Sequence, residues 1–509
     1  MNATGQPVQS LQGLIDSVPN IVDHLYQNPK GVLRAIFHSF PPSELPPEFT
    51  NWRDEQRARR ETVALLDQSF HMTNLYVRGP DAFRMLEHLA INSFNKFVPG
   101  RAKNFAVCNP EGYVIGDNIL YYLDEESFVL VGGEVVLNWV AFHAASGDYD
   151  VTVERDPLWS LNQTGRRTVY RFQVEGPNAF LLLEKLNHGP LPDLKFFHTG
   201  YISIAGRPVR ALRHSMAGVP GMEISGPWED REAVRAAIIE AGEEFGLRLC
   251  GSFAYLSSGG LESGWIPRPL PAIYTSPALR SYREWLPANG LEGRSALGGS
   301  FYSPNIEDYY FTPWDLGMSH ILKFDHDFIG RDALMEKAKE PHRKKVTLVW
   351  NPDDTARGFR SLFDDGPMAR YMDLPWLHYA TWQYDQVLNT KGDLVGLSVY
   401  AGYSANERAM LSLAVVDEAY SQPGTDVVLV WGDAGGGARS GPWVESHEPI
   451  QIRATVGPDQ PRDAGVLVGR QISALGRCRS VPSTIRLARD LRPGRGGGRG
   501  AARGGPLVR

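Results

Sequence analysis

The chain has 509 residues, 42% of them hydrophobic and 22% charged, the balance of a folded, soluble protein with about three domains at roughly 150 residues each. That composition excludes whole-chain disorder, a collagen repeat and a disulfide scaffold, and the acids Asp124, Glu125, Glu126 and Glu134 interrupt the most apolar stretch, 118–144, before it reaches the ~18 residues of a membrane span. The net charge of −6 is uneven: seven arginines from Arg486 onward face only Asp490, so the tail carries +6 and residues 1–485 carry −12, and the body is not expected to attract nucleic acid.

The chain opens without a basic start and with Asp16 close by, so no signal peptide is expected. The three cysteines, Cys108, Cys250 and Cys478, form neither a CxxC pair nor a disulfide framework, which points to the cytoplasm. The clearest local pattern is a repeat. Val77-Arg-Gly-Pro-Asp-Ala-Phe-Arg-Met-Leu-Glu-His-Leu89 returns as Val174-Glu-Gly-Pro-Asn-Ala-Phe-Leu-Leu-Leu-Glu-Lys-Leu186, with eight of thirteen positions identical. Each copy reads as a strand, a Gly-Pro turn and a helix, with Asp81 or Asn178 as the expected N-cap. Between the copies, Asn109-Pro-Glu-Gly112 predicts a turn joining strands at 105–107 and 113–123, the second of which contains Asp117. A looser third copy begins at Met222-Glu-Ile-Ser-Gly-Pro227, and Val234, Ile238, Ala241 and Phe245 predict an amphipathic helix ended by Gly246. Beyond residue 340 the pattern changes to strands at 346–350, 396–400, 411–416 and 427–431 with little helical periodicity. The Gly/Arg-rich end reads as a solvated tail, with RNA binding as its less favoured alternative. These textures divide the chain into segments 1–44, 45–340, 341–455 and 456–509, in an α+β architecture.

No P-loop, no GxGxxG after a strand, no HExxH and no GxSxG occurs, and none of the 13 histidines has metal-ligand spacing. No metal site is expected. Five polar residues at strand and turn positions stand out: Gln68, His71, Asp117, Glu223 and Tyr255. Each also has an ordinary reading: Glu223 as an outward strand residue, Asp117 as the end of a turn, Tyr255 as a core tyrosine with a satisfied hydroxyl.

These segments resemble the aminomethyltransferase (glycine cleavage T-protein) superfamily through Leu66-Asp-Gln-Ser-Phe-His-Met72, the Val77–Ala82 unit, the Gly112–Asp117 hairpin, Gly218-Val-Pro-Gly-Met-Glu-Ile224, Phe328-Ile-Gly-Arg-Asp-Ala-Leu334, Gly396–Ser404 and Pro423-Gly-Thr425. Within it, Asn51-Trp52-Arg53, Leu261-Glu-Ser-Gly-Trp-Ile-Pro267, Pro269-Leu-Pro-Ala-Ile-Tyr-Thr275, Tyr282-Arg-Glu-Trp-Leu-Pro-Ala-Asn289 and Asn305-Ile-Glu-Asp-Tyr-Tyr310 are similar to the tetrahydrofolate-dependent aromatic O-demethylases of vanillate, 3-O-methylgallate and syringate. The resemblance spans roughly 45–455 and leaves 1–44 as a divergent segment. It implies a T-protein-like α+β fold. Residues 45–340 would hold two intertwined subdomains of ferredoxin-like strand–helix units, forming the folate-binding catalytic region, and 341–455 a C-terminal antiparallel β-barrel.

The implied reaction takes the methyl group from a small methoxylated aromatic acid to tetrahydrofolate. Tyr255 matches the family tyrosine near the ether oxygen, where a protonated phenol can donate as charge develops on the leaving group. Glu223 matches the carboxylate that binds the pterin, and Asp117 the acid near the site of transfer, in a catalytic or an orienting part. Trp265 is assigned to folate or to the core with equal weight. Gln68 and His71 align with residues on the aromatic-substrate side, His71 also among the catalytic set. One departure matters. Vanillate-type relatives carry an arginine after the strand equivalent to Phe128–Val131, where this chain reads Gly132-Gly133, so another cation must meet the substrate carboxylate, and Arg34 is the candidate. The two glycines also leave space for a second methoxy group, which favours syringate over vanillate or 3-O-methylgallate. A glycine-cleavage-type aminomethyltransferase and a non-catalytic folate-binding protein are the competing readings. The first is disfavoured by the aromatic blocks at 261–310, the second by the lack of a Lys-Gly-Cys motif near 323–330.

Overall fold

In a computed structural model, residues 9–26, 28, 44–162, 164–216, 218–377, 379–437 and 444–457 are described; Arg34, Cys478 and the Gly/Arg-rich tail lie outside them. The first strand, β1 (Val63–Asp67), is followed by β2 (Thr73–Arg78), β3 (Ala102–Cys108), β4 (Val114–Asp124), β5 (Ser127–Gly132) and β6 (Thr152–Asp156). Then come β7 (Val169–Glu175), β8 (Thr199–Ile204), β9 (Arg207–Leu212), β10 (Gly221–Pro227) and β11 (Leu247–Cys250). Two sheets share these strands. One has the order β3-β4-β5-β2-β6 and the other β11-β1-β7-β10-β9-β8, so the first sheet is inserted in the chain between β1 and β7 of the second.

The repeat is a structural repeat. β2 leads through Gly79-Pro80 into the helix Ala82–Leu89, and β7 leads through Gly176-Pro177 into the helix Ala179–Leu186. Both turn glycines have positive φ, +135° and +131°, and a Cβ would strike the Asp150 carbonyl oxygen at the first and the Thr62 carbonyl oxygen at the second; no side chain fits either turn. The expected N-caps are not made. Asp81 instead accepts from the Asp150 amide and from Arg84, and Asn178 donates to the Phe245 carbonyl, so both side chains tie the turn to a neighbouring segment. The third copy runs from β10 through a short 3-10 turn into the helix Arg231–Gly242, and Gly246 at φ +74° closes it as the periodicity predicts.

β7 shows why the second sheet can serve two purposes. Its alternation puts Tyr170, Phe172 and Val174 into an apolar core with Leu182, Leu183, Val234 and Ile238 of the covering helices, while Arg171, Gln173 and Glu175 point the other way and are also buried. The apolar face holds the layers together. The polar face is turned toward β4 and the helices Trp52–Glu61 and Ser252–Ser263.

The remaining strands are β12 (Leu297–Gly298), β13 (Lys344–Trp350), β14 (Trp376–Leu377), β15 (Trp382–Gln383), β16 (Asp385–Leu388), β17 (Leu394–Ser404), β18 (Ala409–Val416), β19 (Asp426–Trp431) and β20 (Ile450–Gly457). Six of them close an antiparallel barrel in the order β17-β16-β19-β20-β13-β18, with β18 returning to β17 and β14 added outside β17. Leu348, Val387, Leu429, Trp431, Ile452 and Val456 fill it. The four strands read from sequence are all present. Missed were the short β14, β15 and β16, the last strand β20, and the helix Pro352–Arg360, capped by Asn351, in a region read as having little helical periodicity. In the N-terminal segment, helices Leu11–Ser17 and Ile21–Leu25 lie against 286–299 through Leu11 N–H to the Leu286 carbonyl at 2.8 Å and Tyr26 hydroxyl to the Gly299 carbonyl at 2.5 Å. No described helix is long and apolar enough to cross a membrane.

Candidate functional site

The loop after β1 carries Gln68 and His71, and it is stitched to β7. The Gln68 amide donates to the Arg171 carbonyl at 2.9 Å, the Ser69 hydroxyl to the same oxygen at 3.2 Å, and Arg167 donates to the Met72 carbonyl at 3.0 Å. Tyr255 comes from the first turn of the helix Ser252–Ser263. That helix is seated by the Gly251 amide on Glu55 at 2.9 Å, by Gln56 donating to the Ser257 hydroxyl at 2.8 Å, and by the Tyr400 hydroxyl donating to the Leu256 carbonyl. Gly251 is required, since a Cβ there would meet the Pro47 carbonyl oxygen at 2.3 Å.

These two supports bring His71 and Tyr255 together. His71 Nε2 lies 2.7 Å from the Tyr255 hydroxyl, with ring centroids 4.7 Å apart, and Gln68 is hydrogen-bonded to the same hydroxyl. Burial, then the charges of Arg268, Arg167 and Arg171, push the His71 imidazole down to about 3, so it is neutral at working pH. Burial, reinforced by Glu223, raises the Tyr255 phenol well above its ordinary range and keeps it protonated. Gln68 Oε1 is buried and lacks a protein donor.

Glu223 on β10 lies opposite Gln173 of β7, so both side chains share the polar face. Tyr121 from β4 and Arg171 from β7 both donate to Glu223 Oε1, and neither bond involves Oε2. Arg171 also donates to Asn74 at 3.2 Å, and Gln173 Oε1 is enclosed with no protein donor. Behind this cluster Arg59 pairs with Glu175 at 2.5 Å, both fully buried. Asp117 and Tyr121 sit four residues apart on β4 and so on one face of it. Asp117 accepts a hydrogen bond from the Trp265 indole, which lowers its pKa, but burial outweighs that and raises the carboxyl to about 6. Trp265 is exposed. Of its two sequence readings, the core reading is overturned: the segment following the tyrosine helix brings it to the Asp117 carboxylate.

The site thus gathers Gln68, His71 and Tyr255 in one cluster, Glu223 in a second, and Asp117 with Trp265 in a third. Sequence reasoning missed Arg171, Tyr121 and Arg268. The alternation of Arg171, Gln173 and Glu175 against Tyr170, Phe172 and Val174 was a readable signal for a second, polar buried face. The expected room at Gly132-Gly133 holds at one position only. A Cβ on Gly133 would meet nothing within 4 Å, but one on Gly132 would overlap the Asn118 side chain, which bonds the Gly133 backbone at 3.2 Å on both its amide and its carbonyl. Among the described residues no cluster of His, Cys, Asp or Glu could hold a metal ion.

The family model described as the GCVT N-terminal domain matches residues 31–266. The chain is 46% identical over 450 residues to a syringate O-demethylase from Sphingobium sp., a match covering 88% of this chain and 95% of that one. It is 31% identical to a sesamin methylene transferase from Sinomonas sp., covering 77% and 87%, and 27% identical to an aminomethyltransferase from Streptomyces avermitilis, covering 83% and 93%. The crystal structure of glycine cleavage system aminomethyltransferase T from Bartonella henselae superposes with a TM-score of 0.54 at 16% identity, over 82% of this chain and 92% of that one; that likeness is one of fold.

Proposed function

The chain belongs to the aminomethyltransferase superfamily, in its tetrahydrofolate-dependent O-demethylase branch, and from that premise we propose that it removes a methyl group from syringate, leaving 3-O-methylgallate and methylated tetrahydrofolate. The observation that carries this reading is the Tyr255 hydroxyl held 2.7 Å from a neutral His71 inside the site. That pair carries no charge and offers a phenol donor suited to an oxygen leaving group.

An aryl ether releases its methyl group only if the charge growing on the phenolic oxygen is stabilised. Tyr255 is the donor for that oxygen. Because its pKa lies above that of an ordinary phenol, full proton transfer to a departing phenolate is uphill, and Tyr255 acts by a strong hydrogen bond. A neutral imidazole has one N–H. Tyr255 can aim its proton at the substrate only if His71 carries its own on Nε2 and donates it to the Tyr255 oxygen. Gln68 Oε1, with no protein donor, is the acceptor for a ring hydroxyl.

Tetrahydrofolate, when bound, supplies the nucleophilic nitrogen that accepts the methyl group. The residues present fit it: Glu223, fixed on one oxygen by Tyr121 and Arg171, and the unsatisfied Gln173 Oε1 together present acceptors to a pterin edge rich in N–H donors. Asp117 and Trp265 would hold the cofactor near the site of transfer, Trp265 through its exposed ring.

The test is direct. Purified protein given tetrahydrofolate and syringate is expected to form 3-O-methylgallate and 5-methyltetrahydrofolate, faster than it consumes vanillate or 3-O-methylgallate in parallel reactions. Demethylation that continues without tetrahydrofolate, or that releases formaldehyde, would overturn the reading.

A further inference from the structure

A buried carboxylate without a cation is expensive, and a benzoate entering this site must find one. Three arginines act electrostatically on His71: Arg268, Arg167 and Arg171. Two are committed. Arg167 pairs with Asp156 at 3.3 Å, and Arg171 pairs with Glu223. Arg268 has no acid within ion-pair distance among the described residues, and its side chain is exposed. Desolvation lowers its pKa, and both Tyr255 and Tyr400 act on its charge. It is an accessible cation on the segment that follows the Tyr255 helix.

Its backbone is held as a site residue requires. Gly264, at φ +70°, ends the helix that carries Tyr255, and the Trp265 amide donates back to Ser263 at 3.1 Å. Pro267 and Pro269 flank Arg268 and fix φ on either side, and the Leu270 amide donates to the Tyr384 hydroxyl at 2.9 Å. One short segment therefore delivers Trp265 to Asp117 and Arg268 to the neighbourhood of His71 and Tyr255. At the end of β5 the chain reads Gly132-Gly133, and a Cβ on Gly133 would meet nothing within 4 Å.

We propose that Arg268 binds the carboxylate of the aromatic substrate, holding the ring so that its methoxy oxygen faces Tyr255. This rests on the O-demethylase reading above. A guanidinium accepts a carboxylate in two parallel bonds, so Arg268 fixes the plane of the ring as well as its position.

The experiment uses the full-length enzyme with syringate and with 2,6-dimethoxyphenol, the same ring without the carboxylate. Arg268→Gln is expected to raise KM for syringate roughly 10- to 100-fold while leaving KM for the phenol and the dissociation constant of tetrahydrofolate unchanged. Arg268→Lys is expected to recover part of the syringate loss and none of the planar fit. Equal losses for acid and phenol would reduce Arg268 to a structural residue and overturn the proposal. So would weakened tetrahydrofolate binding at unchanged syringate KM, which would assign Arg268 to the glutamyl carboxylates of the cofactor. A selective syringate loss in Arg34→Ala with none in Arg268→Gln would move the role to the N-terminal segment. Wild-type protein that turns over neither substrate with tetrahydrofolate would remove the functional reading and this proposal together, whereas an active wild type with an indifferent Arg268→Gln removes this proposal alone.

Discussion

The barrel and the polar face of the second sheet are buried alike and filled differently. Inside the barrel Leu348, Val387, Leu429 and Val456 are fully enclosed, and the polar atoms of its large aromatics find protein partners: Trp350 donates to the Ser412 hydroxyl and Trp431 to the Arg370 carbonyl, each at 3.0 Å. On the polar face Arg171, Gln173, Glu175 and Glu223 are equally removed from bulk water, but Gln173 Oε1 and the neighbouring Gln68 Oε1 have no protein donor. An apolar interior can close on itself. A polar interior with acceptors left over offers them to water or to a ligand, since an unmet buried acceptor costs about 1–3 kcal/mol.

The largest effect expected from this contrast is on stability, in the barrel. Leu348→Ala removes a fully buried side chain between β18 and β20 and should lower unfolding free energy by about 2–5 kcal/mol, with kcat and KM per folded molecule unchanged. Denaturant unfolding paired with active-site titration checks both halves. A large kinetic change would mean that the barrel shapes the site rather than supporting it. Tyr255→Phe is the converse. It deletes one hydroxyl and keeps the ring, so kcat should fall roughly 100- to 1000-fold, the usual loss for one transition-state donor, while tetrahydrofolate affinity stays as it was. Equal losses in both would contradict the assignment.

Glu223→Gln should act next in size and in a different measurement. The amide keeps the shape but offers its NH2 where Arg171 and Tyr121 also donate, so tetrahydrofolate binding, followed by calorimetry, should weaken roughly 10- to 100-fold, the loss of a hydrogen bond to a charged group. Unchanged affinity would take Glu223 out of the pterin site.

Those same residues explain how much was legible beforehand. The strand–turn–helix repeat was readable because Gly79 and Gly176 occupy conformations that no side chain tolerates, and such constraints are local. The closed barrel was implied by family resemblance and only partly by pattern: β14, β15 and β16 are too short for a period to show, whereas β20 was missed although Ile450, Ile452, Ala454 and Val456 alternate with Gln451, Arg453 and Thr455. Glu223, Asp117, His71 and Tyr255 were named, with Gln68 and Trp265 beside them, but the partners of Glu223 were not. Arg171 and Tyr121 meet Glu223 only because β7, β10 and β4 meet in three dimensions. Arg268 was overlooked between two quoted blocks because nothing in the local sequence relates it to His71 and Tyr255, on which its charge acts in the fold. Arg34, chosen to fill that role, lies outside the described residues.

The smallest effect is on pH dependence, and its sign separates chemistry from unfolding. Burial raises Asp117 from an ordinary 3.8 to about 6 against the Trp265 hydrogen bond that lowers it. If the ionised carboxylate orients the cofactor, kcat/KM rises with pH through about 6 and levels off above it. Stability moves the other way. A carboxyl whose pKa is raised by folding binds its proton more tightly in the native state, so the stabilisation from that proton is complete below 3.8 and is lost as pH climbs through about 6. Activity that increases while thermal stability declines over the same interval cannot come from loss of folded protein. Asp117→Asn should erase the inflection and lower the plateau several-fold, whereas Trp265→Phe, by deleting the one bond that favours the ionised form, should shift the inflection upward. A profile that keeps its inflection in Asp117→Asn would assign the titration to another group and return Asp117 to a purely structural place on β4.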